Sequence, residues 1–230
     1  MSDSRVLLIT GASSGIGAAT ARHAVEAGWR VVLTARREDR LADLASELGG
    51  DDHALALHCD VTSFDDQENA VRTAVERFGR LDAFLANAGF GAKRGFLEES
   101  VEHWKAMVDT NVLGAAYSIR AALAHFREQS SGHVLLMSSD AGRRALPGSL
   151  YAATKFAVTA MGEGLRAEIA DTPIKVTLIE PGMVDTEFFE NRPDNALEPD
   201  DIARAIMYAL SQPAHVDVNE VLIRPVTQPT

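Results

Sequence analysis

Arg5-Val6-Leu7-Leu8-Ile9-Thr10 is a short, nearly continuous apolar run, and Gly11-Ala12-Ser13-Ser14-Gly15-Ile16-Gly17 follows it at once. A run without polar alternation reads as a strand buried on both faces, as in a parallel sheet. Ala18 to Ala27 then reads as a helix that ends at Gly28. Strand, glycine-rich turn and helix in succession form the context in which a glycine pattern marks a dinucleotide site. Gly11 permits the tight turn, Gly15 lets backbone approach a pyrophosphate, and Gly17 lets the helix lie close to the strand. The helix start, around Ser13, Ser14, Gly15 and Ile16, offers unpaired N–H groups and the positive end of a dipole. The spacing is Gly-x-x-x-Gly-x-Gly rather than Gly-x-Gly-x-x-Gly, and a plain strand-to-helix turn is the alternative.

The alternation continues to the end of the chain. Strands are expected at Arg30 to Ala35, Ala54 to Cys59, Leu81 to Ala86, Gly132 to Ser138, Ile174 to Ile179 and Val218 to Ile223. Helices are expected at Glu38 to Leu48, Phe64 to Phe78, Tyr151 to Ala170 and Asp200 to Ser211, with a long helical stretch from Val101 through Phe126 in two pieces meeting near Asn111. Such alternation implies an α/β fold: a Rossmann-type, doubly wound parallel sheet of about seven strands, helices on both faces and right-handed crossovers. No repeat or linker interrupts it, and 46% hydrophobic residues in 230 suffice for one large core, so residues 1–230 are read as one domain. The stretch 191–199, rich in Pro and Asn, is the expected mobile loop.

Net charge −11 and a pI of about 5.1 argue against nucleic acid or an anionic membrane as partner. No apolar stretch approaches the ~18–20 residues of a membrane span. The first strand begins by about residue 5, which leaves no room for a signal peptide. One cysteine, Cys59, excludes an intrachain disulfide and suits a reducing, cytoplasmic compartment; it reads as core rather than nucleophile. None of the seven histidines falls at metal-ligand spacing, and no metal is expected.

Tyr151 and Lys155 stand four residues apart, about one helical turn, so phenol and ammonium project from one face. A phenol titrates near ~10 in water, and a fixed cation beside it favours the phenolate. The Tyr151 pKa is therefore expected to fall. A Ser138-Ser139 pair lies thirteen and twelve residues upstream. An acid/base, its electrostatic tuner and a hydroxyl are what moving a proton on and off a carbonyl oxygen requires. The bland alternative is a Tyr packed on a surface helix beside a solvated Lys.

Five motifs in order carry a resemblance over nearly the whole chain: Thr10-Gly11-x-x-x-Gly15-x-Gly17, Asp60-Val61, Asn87-Ala88-Gly89, Tyr151-x-x-x-Lys155 and Pro181-Gly182. The sequence resembles the short-chain dehydrogenase/reductase family. The resemblance implies that Tyr151 is the acid/base, that Lys155 tunes it and binds the nicotinamide ribose, and that Ser138, at the family's usual spacing, polarises the carbonyl while Ser139 does not. Asn111 matches the family's helix-kink asparagine, whose backbone carbonyl holds a water linking Lys155 to solvent. Asp60 and Val61 are expected at the adenine, Asn87, Ala88 and Gly89 at the ribose, and Pro181, Gly182, Val184 and Thr186 beside the nicotinamide. NAD-using relatives end the second strand with an acid; here Ala35 stands there, followed by Arg36 and Arg37, which suit the 2′-phosphate of NADP. Ser13 and Ser14 add hydroxyl donors, and the alternative for both arginines is surface pairing with Glu38 and Asp39.

The resemblance further implies a small carbonyl or alcohol substrate (ketone, aldehyde or 3-hydroxy acid) and self-association as a homotetramer or dimer. Residues 138–144 and 218–229 look like the branch holding NADP-dependent 3-hydroxy-acid dehydrogenases and clavulanate dehydrogenase. Arg143 and Arg144 are candidates for a substrate carboxylate, with a loop or subunit contact as the other reading. Substrate walls are expected at 89–95, 145–150 and 183–192. Small residues on the helices from Asn111 and Tyr151 (Gly114, Ala115, Ala121, Ala122, Ala152, Ala157, Ala160) are expected on exposed, pairing faces. A dinucleotide-binding sensor or scaffold without turnover is the second class of function this fold allows.

Overall fold

Side-chain alternation along the first strand, β1 (Val6–Thr10), divides the core in two. Leu7 and Ile9 face one layer, Val6 and Leu8 the other, and all are fully buried. The computed structural model describes residues 4–188 and 194–228. Beside β1 lie β2 (Arg30–Ala35) and β3 (Ala54–His58) on one side and β4 (Ala83–Ala86), β5 (Gly132–Met137), β6 (Ile174–Pro181) and β7 (Glu220–Ile223) on the other. Every pairing is parallel, in the order β3-β2-β1-β4-β5-β6-β7. The order reverses between β1 and β4, the place where doubly wound sheets open a binding crevice.

Helices α1 (Gly15–Glu26), α2 (Glu38–Glu47) and α7 (Pro199–Ser211) cover one face through Ala21, Leu41 and Ile206. Helices α3 (Phe64–Phe78), α5 (Ala115–Gln129) and α6 (Leu150–Glu168) cover the other through Val71, Phe126 and Val158. The expected break near Asn111 is a π-helical turn, Asp109–Gly114, between α4 (Val101–Val108) and α5. Serine hydroxyls cap α3, α4 and α6. α1 begins at Gly15, three residues earlier than the sequence reading, so the glycine turn supplies its first turn. No helix of the described residues is long and apolar enough to cross a membrane.

The small residues expected on exposed pairing faces mostly point inward. Gly114, Ala121, Ala122 and Ala152 are buried in the protomer, and only Ala160 is exposed. A side chain at Gly114 would meet Val61 Cγ2 at 3.0 Å. These residues let the helices lie close to their own sheet and neighbours. Of the loop expected at 191–199, residues 191–193 lie outside the described residues, as do 189–192 of the expected wall.

Candidate active site

All seven strands point their C-terminal ends at one cleft of about 840 Å³. Gly11 to Ile16 follow β1, Arg36 and Arg37 follow β2, Asp60 and Val61 follow β3, and Asn87 to Gly89 follow β4. Ser138 and Ser139 follow β5, Pro181 closes β6 and Gly182, Val184 and Thr186 follow it. Tyr151 and Lys155 enter from α6.

At the crevice Asn87 Nδ2 donates to the carbonyls of Thr10 (2.9 Å) and Gly11 (3.3 Å), and Thr10 Oγ1 accepts from the N–H groups of Asn87 and Ala88. β1 and β4 are thus stitched together past their last ladder bonds. Gly11 has φ +66°, which a side chain disfavours. Gly17 sits so close that a Cβ would lie 2.5 Å from the Gly11 carbonyl oxygen. The start of α1 is left open: Ser14, its N-cap, makes no capping bond, and no acid stands in the first turn. Ser14 Oγ instead accepts from Arg37 Nη2 at 2.7 Å, and Ser13 Oγ accepts from Arg37 Nε and Nη2. A phosphate fits such a place: free helix N–H groups, two hydroxyls and a guanidinium.

The alternative, surface pairing of Arg36 and Arg37 with Glu38 and Asp39, does not form among the described residues. Arg37 bonds Glu187 (2.8 Å), which also takes Arg40 (2.5 Å), and the two guanidinium groups hold the Glu187 carboxyl down to about 2. Arg36 is exposed on the cleft and makes no hydrogen bond or ion pair with the described residues. Asp60 Oδ1 accepts from Thr62 N and Oγ1, which lower its pKa, while Ser63 rather than Asp60 caps α3.

Asn111 is 2% exposed. Its side chain is fully engaged: Oδ1 accepts from Phe90 N, and Nδ2 donates to Phe90 O and Thr154 Oγ1. This holds the π-helical turn against the segment after β4 and against α6. Lys155 is 5% exposed, donates to the Met137 carbonyl at 2.7 Å and lies 5.7 Å from the Tyr151 ring centroid. Burial pulls its ammonium down to about 8. The Tyr151 phenol goes the other way from the sequence expectation. Burial pushes it up to about 12; a hydrogen bond with Ser139 opposes this, and the Asp140 charge adds to it. Desolvation is the largest of these influences.

The two serines take different sides of the strand end. Ser138 continues the side of β5 that carries Val134 and Leu136, so its hydroxyl lies under α6, bonded to Lys155 O (3.1 Å) and Thr159 Oγ1 (2.8 Å). Ser139 falls on the opposite side and lines the cleft with Tyr151, whose phenol pKa it lowers. Sequence spacing does not tell which side of β5 each serine takes.

Arg143 is taken out of the substrate question. It is clasped by Glu180 (2.7 Å), Glu220 (2.6 Å) and Glu163 (3.2 Å), and Glu180 is 1% exposed. Arg144 lines the cleft, gives Nη2 to Asp140 Oδ2 at 3.1 Å, and has a buried Nε without a partner. Cys59 is 2% exposed, its thiol raised to about 12 by burial, in keeping with a core residue. Among the described residues no group of three or more His, Cys, Asp or Glu is placed to hold a metal ion. Asp140 and Gln228 line the cleft without having been assigned a role from the sequence, and Glu187 lies within the wall expected at 183–192. Phe188, within the expected wall, packs edge-on against Tyr151 at 5.3 Å between ring centroids.

A parallel doubly wound sheet with a glycine cradle at its reversal point and a Tyr–Lys pair at the far end of the same cleft defines a dinucleotide-dependent oxidoreductase type of protein. A family model described as short chain dehydrogenase matches residues 5–196. An uncharacterised oxidoreductase of Staphylococcus haemolyticus is 45% identical over 227 residues, covering 96% of this chain and 97% of that protein. Among solved structures, an alcohol dehydrogenase from the archaeon Thermococcus sibiricus complexed with 5-hydroxy-NADP has TM-score 0.89 and 33% identity, covering 99% of both chains. The closed form of a serine dehydrogenase complexed with NADP⁺ has TM-score 0.91 and 32% identity, covering 98% of this chain and 96% of that one. The chain belongs to the short-chain dehydrogenase family.

Proposed function

We propose that the protein is an NADP(H)-dependent oxidoreductase acting on a small carbonyl or alcohol substrate, with Tyr151 as acid/base. The observation that carries the reading is the gathering of Ser139, Tyr151 and the buried Lys155 in the cleft that also holds the glycine cradle. NADP(H), when bound, supplies or accepts the hydride. The open α1 start with Gly11, Ser13, Ser14, Gly15, Ile16 and Gly17 suits its pyrophosphate, and Arg36 and Arg37 suit its 2′-phosphate. Asp60 and Val61 suit the adenine, Asn87, Ala88 and Gly89 the ribose, and Pro181, Gly182, Val184 and Thr186 the nicotinamide. Lys155, 5.7 Å from the Tyr151 ring centroid, is assigned the nicotinamide ribose.

In the reductive direction Ser139 donates to the carbonyl oxygen and Tyr151 gives up its proton to it. Oxidation runs the same proton backwards. Asn111 keeps its side chain on Phe90 and Thr154, and its backbone carbonyl is assigned the water that leads to Lys155. Alone, Tyr151 is protonated at neutral pH, the form that reduction needs. Oxidation requires the phenolate, and the positive nicotinamide of NADP⁺ adds to Lys155 in favouring it. The substrate is a ketone, aldehyde or 3-hydroxy acid, and an acid substrate would take Arg144, which lines the cleft, rather than Arg143. Exposed Leu113 (43%) and Phe156 (42%) support self-association as a homotetramer or dimer.

The test is a panel of ketones, aldehydes and hydroxy acids, L-serine and 3-hydroxybutyrate included, run in both directions and followed by nicotinamide absorbance. NADPH binding is read separately by energy transfer from tryptophan. Tyr151→Phe is expected to bind NADPH like the wild type and to lose nearly all turnover. A substantial remaining fraction of activity would remove Tyr151 from the acid/base role. A wild type that binds NADPH and turns over nothing would point to a sensor instead.

A further inference from the structure

Beyond β7 the chain turns back, with Gln228 N donating to Pro225 O at 3.0 Å, and carries Gln228 into the cleft. The Gln228 carboxamide joins two distant segments. Its Oε1 accepts from Met183 N at 2.9 Å, and its Nε2 donates to Asp140 Oδ2 at 2.6 Å. Both ends are fixed by chemistry, since an N–H needs the oxygen and a carboxylate needs the NH₂. Gly182 makes the room: a Cβ there would stand 2.3 Å from Gln228 Oε1. Asp140 is 8% exposed, follows Ser139 directly and takes Arg144 on the same oxygen.

We infer that Gln228 is a positioning residue of the hydride-transfer site: the tail's carboxamide ties the Ser139–Asp140 segment after β5 to the Gly182–Met183 segment after β6, and so sets the Asp140–Arg144 pair at the substrate end. The inference rests on the function proposed above. Removing the carboxamide takes one of three side-chain donors, the others being Arg144 and the more distant Ser139 hydroxyl, from a largely buried carboxylate and leaves the Met183 N–H without its acceptor. Asp140 and Arg144 then lose their fixed place beside Ser139 and Tyr151.

Gln228→Glu and Gln228→Ala separate this role from a merely structural one. The side chain of the Gln228→Glu variant would still accept from Met183 N but would set a carboxylate against Asp140. On the best substrate of the panel, Gln228→Glu is expected to raise KM by about tenfold, the effect of losing one hydrogen bond to a charged group. NADPH binding by energy transfer is expected to stay near wild type. The KM defect should shrink as pH falls, because a proton shared between the two carboxylates restores the donor. Gln228→Ala should raise KM without that pH dependence. A lowered melting temperature in both variants, with KM and pH profile unchanged, would make Gln228 structural only and overturn the inference. No turnover by the wild type overturns the proposed function instead, so the two failures are distinct.

Discussion

Lys155→Met is expected to change stability in a pH-dependent way that reads the cost of the site directly. Lys155 is 5% exposed and its pKa falls from 10.5 to about 8 through burial. At about 1.4 kcal/mol per pH unit, that difference sets a ceiling of about 3 kcal/mol on what burying the ammonium costs the fold at neutral pH. Methionine fills a similar volume without the charge, but leaves the Met137 carbonyl without its 2.7 Å donor, at about 1–3 kcal/mol. Near neutral pH the variant should therefore equal or exceed the wild type, by roughly 0–2 kcal/mol. The folded pKa lies below the unfolded one, so the unfolded chain holds the proton more tightly between about 8 and 10.5. Wild-type stability from this group rises with pH across that window, and the variant's relative stability falls by about 3 kcal/mol. Urea unfolding followed by tryptophan fluorescence, from about pH 7 to about pH 10, measures the difference. Tyr151, raised to about 12, titrates mostly above this range and is common to both proteins. A difference that stays flat or moves in favour of the variant as pH rises would refute the reasoning.

Ser139→Ala should lower kcat by about 10²-fold, the usual loss of one donor aimed at a developing oxyanion. Ser138→Ala should leave kcat near wild type and lower unfolding free energy by about 1–3 kcal/mol, since its hydroxyl pairs with Lys155 O and Thr159; the reverse ranking would restore Ser138. Arg36→Ala should raise KM for NADPH by an amount equivalent to about 1.5–3 kcal/mol and leave NADH unaffected. Glu187→Gln should tighten NADPH binding a few-fold by releasing Arg37 and Arg40 from a competing carboxylate; weaker binding would mean that Glu187 orders the arginines for the phosphate.

What was legible in the sequence was local. The glycine turn, the Tyr151–Lys155 turn of helix and the buried apolar strands each lie within a few residues, so propensity and period suffice to read them. The kink at Asn111 was legible for the same reason, although the side-chain bonds it makes there go to Phe90 and Thr154, which are far away in sequence. The side of β5 taken by Ser138 was not legible, because it depends on where the strand stops alternating. Helix faces made of alanine and glycine were ambiguous too: small residues fit both a subunit contact and a close approach to the chain's own sheet, and Gly114 on Val61 shows the second. Arg143 and Arg144 are adjacent and chemically alike, and only the three glutamates gathered by β6, β7 and α6 distinguish them.

The contacts that escaped the sequence reading share one origin in the topology. A parallel sheet brings the C-terminal ends of all its strands to one edge, so segments far apart in sequence leave the sheet side by side. Arg37 and Glu187 are 150 residues apart, and Asp140 and Gln228 are 88 apart. Each pair joins loops that leave different strands, and each borders the same cleft. The cost of holding polar groups there falls on these loop-to-loop bonds: Asn87 on Thr10 and Gly11, Asn111 on Phe90, Gln228 on Asp140 and Met183. The strands themselves are apolar and interchangeable in kind. The cleft's individuality therefore resides in the loop ends, and the last of them, the tail after β7, is as much a part of the site as the glycine turn after β1.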